Sequence, residues 1–154
     1  MRYPWYDGSM NMEKLKELVE KDIAIDNTEL GDESTRIPQL HNKYLIFFRD
    51  EKLILHKLFA DMKVLKKTKW EWFTGKMSAE ELQEHGWEPF QLRIMRQDLG
   101  LYVDADPDLI EMEAKVEMQK EKVNYLESTL KIIVQRHWMI RNAIEWRKFT
   151  QGIV

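Results

Sequence analysis

Two apolar ladders with alternating three- and four-residue steps constrain the fold of this chain more than any other feature. Leu45, Phe48, Leu55, Phe59 and Met62 form the first, with Lys52 on the same stripe; Val123, Leu126, Leu130, Ile133, His137, Ile140, Ile144 and Arg147 form the second. A repeat averaging 3.5 residues keeps one stripe of an α-helix turned toward a partner helix over several turns. Strands need a period of two, and no β-hairpin signature, internal repeat or low-complexity tract is present. The predicted class is all-α, a long helical hairpin with short additional helices.

Local punctuation places the elements. Leu15, Leu18 and Val19 predict a short amphipathic helix from Met12 to Val19, followed by an extended or turning linker from Asp22 to Gly31. Pro38 belongs near a helix start, where its missing N–H costs nothing, and Gly75 suits the residue just past that helix. Ser78-Ala-Glu-Glu81 reads as a capping box opening a helix that Gly86 closes, and a further short helix is expected after Pro89 through about Asp98. Asp106 and Pro107 supply an N-cap and first-turn proline for the longest element, predicted to run to about Lys148. The organisation expected is one helical domain over 1–154: an extra N-terminal segment 1–11, helices over 12–105 and a long C-terminal helix over 106–149.

The apolar residues outnumber what a hairpin seam can bury. Phe47, Ile54, Val134, Trp138, Met139, Trp146 and Phe149 lie beyond the ladders. Either the short helices cover this surplus or the chain self-associates through its last helix. The candidate assembly residues are Leu130, Ile133, Val134, His137, Trp138, Ile140 and Ile144.

Several function classes are disfavoured by what is missing. No apolar run is long enough to span a bilayer, the N-terminus lacks the apolar core of a signal peptide, and no cysteine is available for a disulfide, a thiolate metal site or a nucleophile. Asp104-Ala-Asp106-Pro-Asp108 has the start of a calcium loop, but Leu109 and Lys115 stand where the loop needs Gly and Glu, so helix capping explains it better. Gly75-Lys76 lacks the remaining residues of a phosphate-binding loop, and His41, His56, His85 and His137 have no metal-ligand spacing. The expectation is a protein without catalysis, metal or cofactor.

The strongest chemical signal is Lys63-Val-Leu-Lys-Lys-Thr-Lys-Trp-Glu-Trp-Phe-Thr-Gly-Lys76, where lysines that can neutralise phosphates run into rings that can stack on unpaired bases. The overall charge of −3 conceals segregation: net −4 over residues 1–42, +5 over 43–76, −8 over 77–130 and +4 over 131–154. Screening beyond about 8–10 Å leaves the basic blocks able to attract an anion despite distant acids. Two readings of the block stay open. Its lysines are either the solvated face of a helix with Trp70 and Phe73 on the core side, or a single-stranded nucleic-acid contact formed by Lys63, Lys66, Lys67, Lys69 and Trp72.

Three segments in order, Asp22-Ile-Ala-Ile-Asp26, Ser34-Thr-Arg-Ile-Pro-Gln-Leu-His-Asn-Lys-Tyr44 and Lys67-Thr-Lys69-Trp-Glu-Trp-Phe-Thr-Gly75, resemble the UvsY recombination mediators of T-even-type bacteriophages. The resemblance extends from about Leu15 to Lys148. It implies a non-catalytic protein that binds single-stranded DNA and helps load the phage RecA-like recombinase onto strands coated by the phage single-strand DNA-binding protein. It also implies a ring-like homo-oligomer, a hexamer or heptamer assembled through the C-terminal region, in the cytoplasm of the infected host. By position Lys67 and Lys69 match the family's basic pair, and Trp72 and Phe73 its paired aromatics, for which packing and stacking are both open. The alternative is a helical oligomeric adaptor without intrinsic DNA binding.

Overall fold

The computed structural model describes residues 11–152, which form helices and connecting turns with no strand among them. The expected N-terminal segment, residues 1–11 with Tyr3, Trp5 and Tyr6, lies outside the described residues except for Asn11. Six helices follow in order: α1 Met12–Ile23, α2 Leu30–Thr35, α3 Ile37–Phe73, α4 Ala79–His85, α5 Leu99–Asp104 and α6 Pro107–Thr150. Their packing divides the described residues into two compact units, one comprising residues 11–51 together with 122–152, the other Lys52–Glu121.

In the first unit α1 starts where the Asn11 side chain accepts from the Lys14 N–H at 2.9 Å, and continues four residues past the predicted end to Ile23. Leu15 and Val19 of α1, Leu40 and Tyr44 of α3, and Leu126 and Ile133 of α6 make the core. Each pair within α1 and α3 is four residues apart, so it projects from one side of its helix. The linker is shorter than expected: Asp26 accepts from the backbone and hydroxyl of Thr28, a local turn that leads into α2.

The buried stripe of α6 in this unit is Val123, Leu126, Thr129, Ile133, Arg136 and Ile140. Steps of three and four persist from Val123 to Ile140, but Thr129 takes the place predicted for Leu130, which is half-buried, and Arg136, 1 % exposed, that predicted for His137, which is exposed; beyond Ile140, Ile144 is half-buried and Arg147 exposed. Burial of a guanidinium demands acceptors. Arg136 donates to the Glu33 carboxylate of α2 and to the carbonyl of Ile23, so it binds the N-terminal elements to α6.

A second polar group sits beside the first core. Asp22 accepts from Lys43 Nζ at 2.6 Å and from the Tyr44 hydroxyl at 3.0 Å, with Arg36 at 3.4 Å. Burial pushes its carboxyl up, yet the hydrogen bonds from Lys43 and Tyr44 and the charges of Lys43 and Arg36 outweigh this and hold it below the ordinary aspartate value. Burial and the neighbouring Asp22 carboxylate in turn push the Tyr44 phenol well above its ordinary value, so it remains a donor.

In the second unit α3 and α6 run antiparallel, Phe59 lying under Lys120 while Lys69 meets Asp106. Lys52, placed on the seam by its spacing, is exposed. The core is Phe73, Val103 and Leu109, with Leu65, Trp72, Phe90, Ile94 and Leu99 packed on it. The capping box of α4 forms as predicted, and Gly86 adopts φ 68° to close the helix. The helix expected between Pro89 and Asp98 does not form. Phe90 and Ile94 dock onto the Phe73 cluster and the Glu88 carbonyl accepts from Trp72 Nε1 at 2.8 Å, so tertiary contacts hold this stretch irregular and the helix, α5, begins at Leu99.

Candidate nucleic-acid interface

The basic segment lies on the last three turns of α3 and the turn that follows, all within the second unit. Successive residues of a helix are turned by about 100°, so Lys63, Lys66, Lys67 and Trp70 share a face. All four are exposed. Lys67 reaches Glu71 one turn on at 3.5 Å, a solvent-exposed pair that contributes little.

Lys69 is two residues past Lys67, which turns it about 200° away. It is 5 % exposed, with Nζ 3.0 Å from Asp106 and 2.5 Å from Asp108. The Trp87 ring lies 4.3 Å from the same ammonium and the Trp72 ring 5.2 Å. The other carboxylate oxygen of Asp106 accepts from the backbone N–H groups of Asp108 and Leu109, capping α6. Lys69 thus joins the end of α3 to the first turn of α6. This corrects its expected place on the DNA-facing surface: a basic-x-basic pair on a helix cannot direct both cations to one side.

The aromatic expectation is corrected in the same way. Trp72 lies inside a cluster, 4.9 Å from Phe73, 5.0 Å from Phe90 and 5.6 Å from Trp87 between ring centroids, with its indole N–H given to Glu88. Phe73 is buried there, as one reading expected. Trp70, read from its spacing as a core residue, is instead 39 % exposed beside the lysines.

The chain reverses just beyond. Gly75 N–H donates to the Trp72 carbonyl and Lys76 N–H to the Glu71 carbonyl, at 3.1 and 2.9 Å, and Gly75 has φ 67°. This paired closure of a helix requires a left-handed residue, the conformation glycine adopts without a Cβ penalty. It returns Lys76 over Trp70, with Nζ 4.1 Å from the ring centroid. The exposed set is therefore Lys63, Lys66, Lys67, Trp70 and Lys76, a surface of cations around one aromatic ring.

Residues 18–153 match the model of a family described as the recombination, repair and ssDNA binding protein UvsY. The chain belongs to the UvsY family. The recombination protein uvsY of Enterobacteria phage T4 is 22 % identical to it over 143 residues, covering 93 % of this chain and 99 % of that protein. A crystal structure of the bacteriophage T4 recombination mediator protein UvsY superposes with a TM-score of 0.79 at 23 % identity, covering 93 % of this chain and 99 % of that one. A second crystal form gives 0.79 at 22 % identity over 91 % and 99 %. These likenesses establish a shared helical fold, and the family match establishes the class of recombination, repair and single-stranded DNA-binding proteins.

The candidate assembly residues fall into two groups. Ile133 and Ile140 fill the first unit's own core, which corrects their expected availability to a neighbouring copy. Leu130 and Ile144 are half-buried, and Val134, His137 and Trp138 are exposed, Trp138 at 55 %. Ile132, Met139, Trp146 and Phe149 add further exposed apolar surface to the same helix. Among the described residues no helix is long and apolar enough to cross a membrane, and no cluster of three or more His, Asp or Glu side chains suits a metal ion.

Proposed function

We propose that this chain is a recombination mediator that binds single-stranded DNA and promotes loading of a RecA-like recombinase onto strands coated by single-strand DNA-binding protein. The observation that carries the reading is the exposed face of Lys63, Lys66 and Lys67 in a chain whose residues 18–153 match a single-stranded DNA-binding family. Three cations separated by one helical turn or less suit a flexible phosphate backbone and make no sequence-specific demand. The work is handover rather than bond chemistry. Copies join through the exposed apolar surface of α6 around Val134 and Trp138 into a ring-like homo-oligomer, and repeated weak contacts then act together as effective concentration. The strand held on this shared surface loses grip on single-strand binding protein, and recombinase nucleates in its place in the cytoplasm of the infected host.

Fluorescence anisotropy with labelled oligodeoxythymidylate across a salt series tests the phosphate contact. Each of Lys63→Ala, Lys66→Ala and Lys67→Ala is expected to lower the slope of log affinity against log salt by about 0.7 per contact on every subunit engaged. Wild-type affinity that ignores salt would reject this face, and assembly without DNA affinity would leave a helical adaptor as the better account.

A further inference from the structure

We propose that Trp70 is a nucleobase platform and Lys76 its phosphate-side clamp, so that each subunit takes one unpaired base as well as backbone phosphates. The inference rests on the single-stranded DNA reading and deepens it. Trp70 is the large aromatic ring of α3 left exposed at the basic face, whereas Trp72 and Phe73, two and three residues further on, are committed to packing. Exposed indole surface in water is costly, and the Lys76 ammonium, at 4.1 Å from the ring centroid, lies over it on a flexible stem.

Charge selects the occupant. Lys76 lies over the ring, Lys66 and Lys67 stand one turn before it on the same face and Lys63 two turns before, so the same face of a second copy would bring like charges together and is a poor partner. An unpaired nucleotide offers both complements, a flat π surface for the indole and a phosphate for the cations. Lys63 and Trp70 stand two turns apart, about 10 Å at 1.5 Å per residue, so a strand laid along the helix can meet lysine and ring together. When a base settles on the ring, Lys76 leaves it for the adjoining phosphate. The Gly75 turn keeps the ammonium within reach of both positions.

The test compares oligodeoxythymidylate with an abasic strand of equal length and charge, at fixed salt, by anisotropy competition. Wild-type protein is expected to prefer the base-bearing strand by at least about fivefold, the lower bound for one stacked base. Trp70→Ala should bring the ratio close to one without changing the salt slope, Trp70→Phe should retain part of it, and Lys67→Ala should keep the ratio while lowering the slope. Equal wild-type affinity for the two strands, or a preference that survives Trp70→Ala, overturns the platform. So does dissociation of the assembly by Trp70→Ala in light scattering, which would make the ring an interface residue. Failure of wild-type protein to bind either strand overturns the DNA reading itself, and with it the platform.

Discussion

Replacing Lys69 with Met should damage folding rather than the phosphate contact. Lys69 is 5 % exposed and its ammonium lies between Asp106, itself buried, and Asp108, which is half exposed. Removing one partner of a buried pair costs about 3–5 kcal/mol, chiefly because the opposing charge stays buried. Two features favour the lower end: Asp108 can turn to solvent, and Asp106 keeps its two backbone N–H donors at the α6 N-terminus. Loss of the cation beside Trp87 and Trp72 adds about 1 kcal/mol, and the methionine stem restores part of the packing. A net loss of about 3 kcal/mol corresponds to about 6–12 °C in melting temperature for a chain of this size. Thermal unfolding by circular dichroism at fixed protomer concentration measures it, because self-association of the kind proposed would make the midpoint concentration-dependent. The double variant Lys69→Met/Asp106→Asn should lose less than the two single losses combined, because asparagine preserves the cap and removes the stranded charge. An unchanged midpoint together with a salt slope lowered as for Lys67→Ala would refute the reasoning and return Lys69 to the DNA surface.

Other outcomes follow from the same geometry. Arg136→Met should cost about 3–5 kcal/mol in chemical denaturation, since Glu33 loses its buried partner and the carbonyl of Ile23 its donor. Asp22 titrates below its ordinary 3.8 in the folded chain, so its contribution is complete above that pH and is lost as pH falls from there through the depressed value; Asp22→Asn should flatten the acid limb of a stability-pH profile in this window. Trp138→Glu should weaken self-association in sedimentation while leaving helix content unchanged, because the side chain is already exposed in the subunit.

The division between what sequence determined and what tertiary structure decided follows the range of the forces involved. Helix class, the stop at Gly75, the capping box at Ser78 and the start at Asp106-Pro107 depend on neighbours within about four residues, and each appears where local chemistry put it. The ladder spacing likewise placed Val123, Leu126, Ile133 and Ile140 on the buried stripe of α6, but Thr129 and Arg136 occupy it in place of Leu130 and His137, and Arg147 is exposed. Nothing local distinguishes Glu33 from the many other acids as the partner that makes the burial of Arg136 tolerable. The candidate site shows the same limit. Periodicity required Lys67 and Lys69 to point apart, but which of them met solvent depended on the residues that approach from elsewhere, Asp106 and Asp108 of α6 and Trp87. Those contacts turn Lys69, Trp72 and Phe73 inward and leave Lys63, Lys66, Lys67 and Trp70 outside. Sequence determined the angles between these side chains; tertiary packing decided which side faced water, because desolvation depends on what else in the chain arrives to cover it.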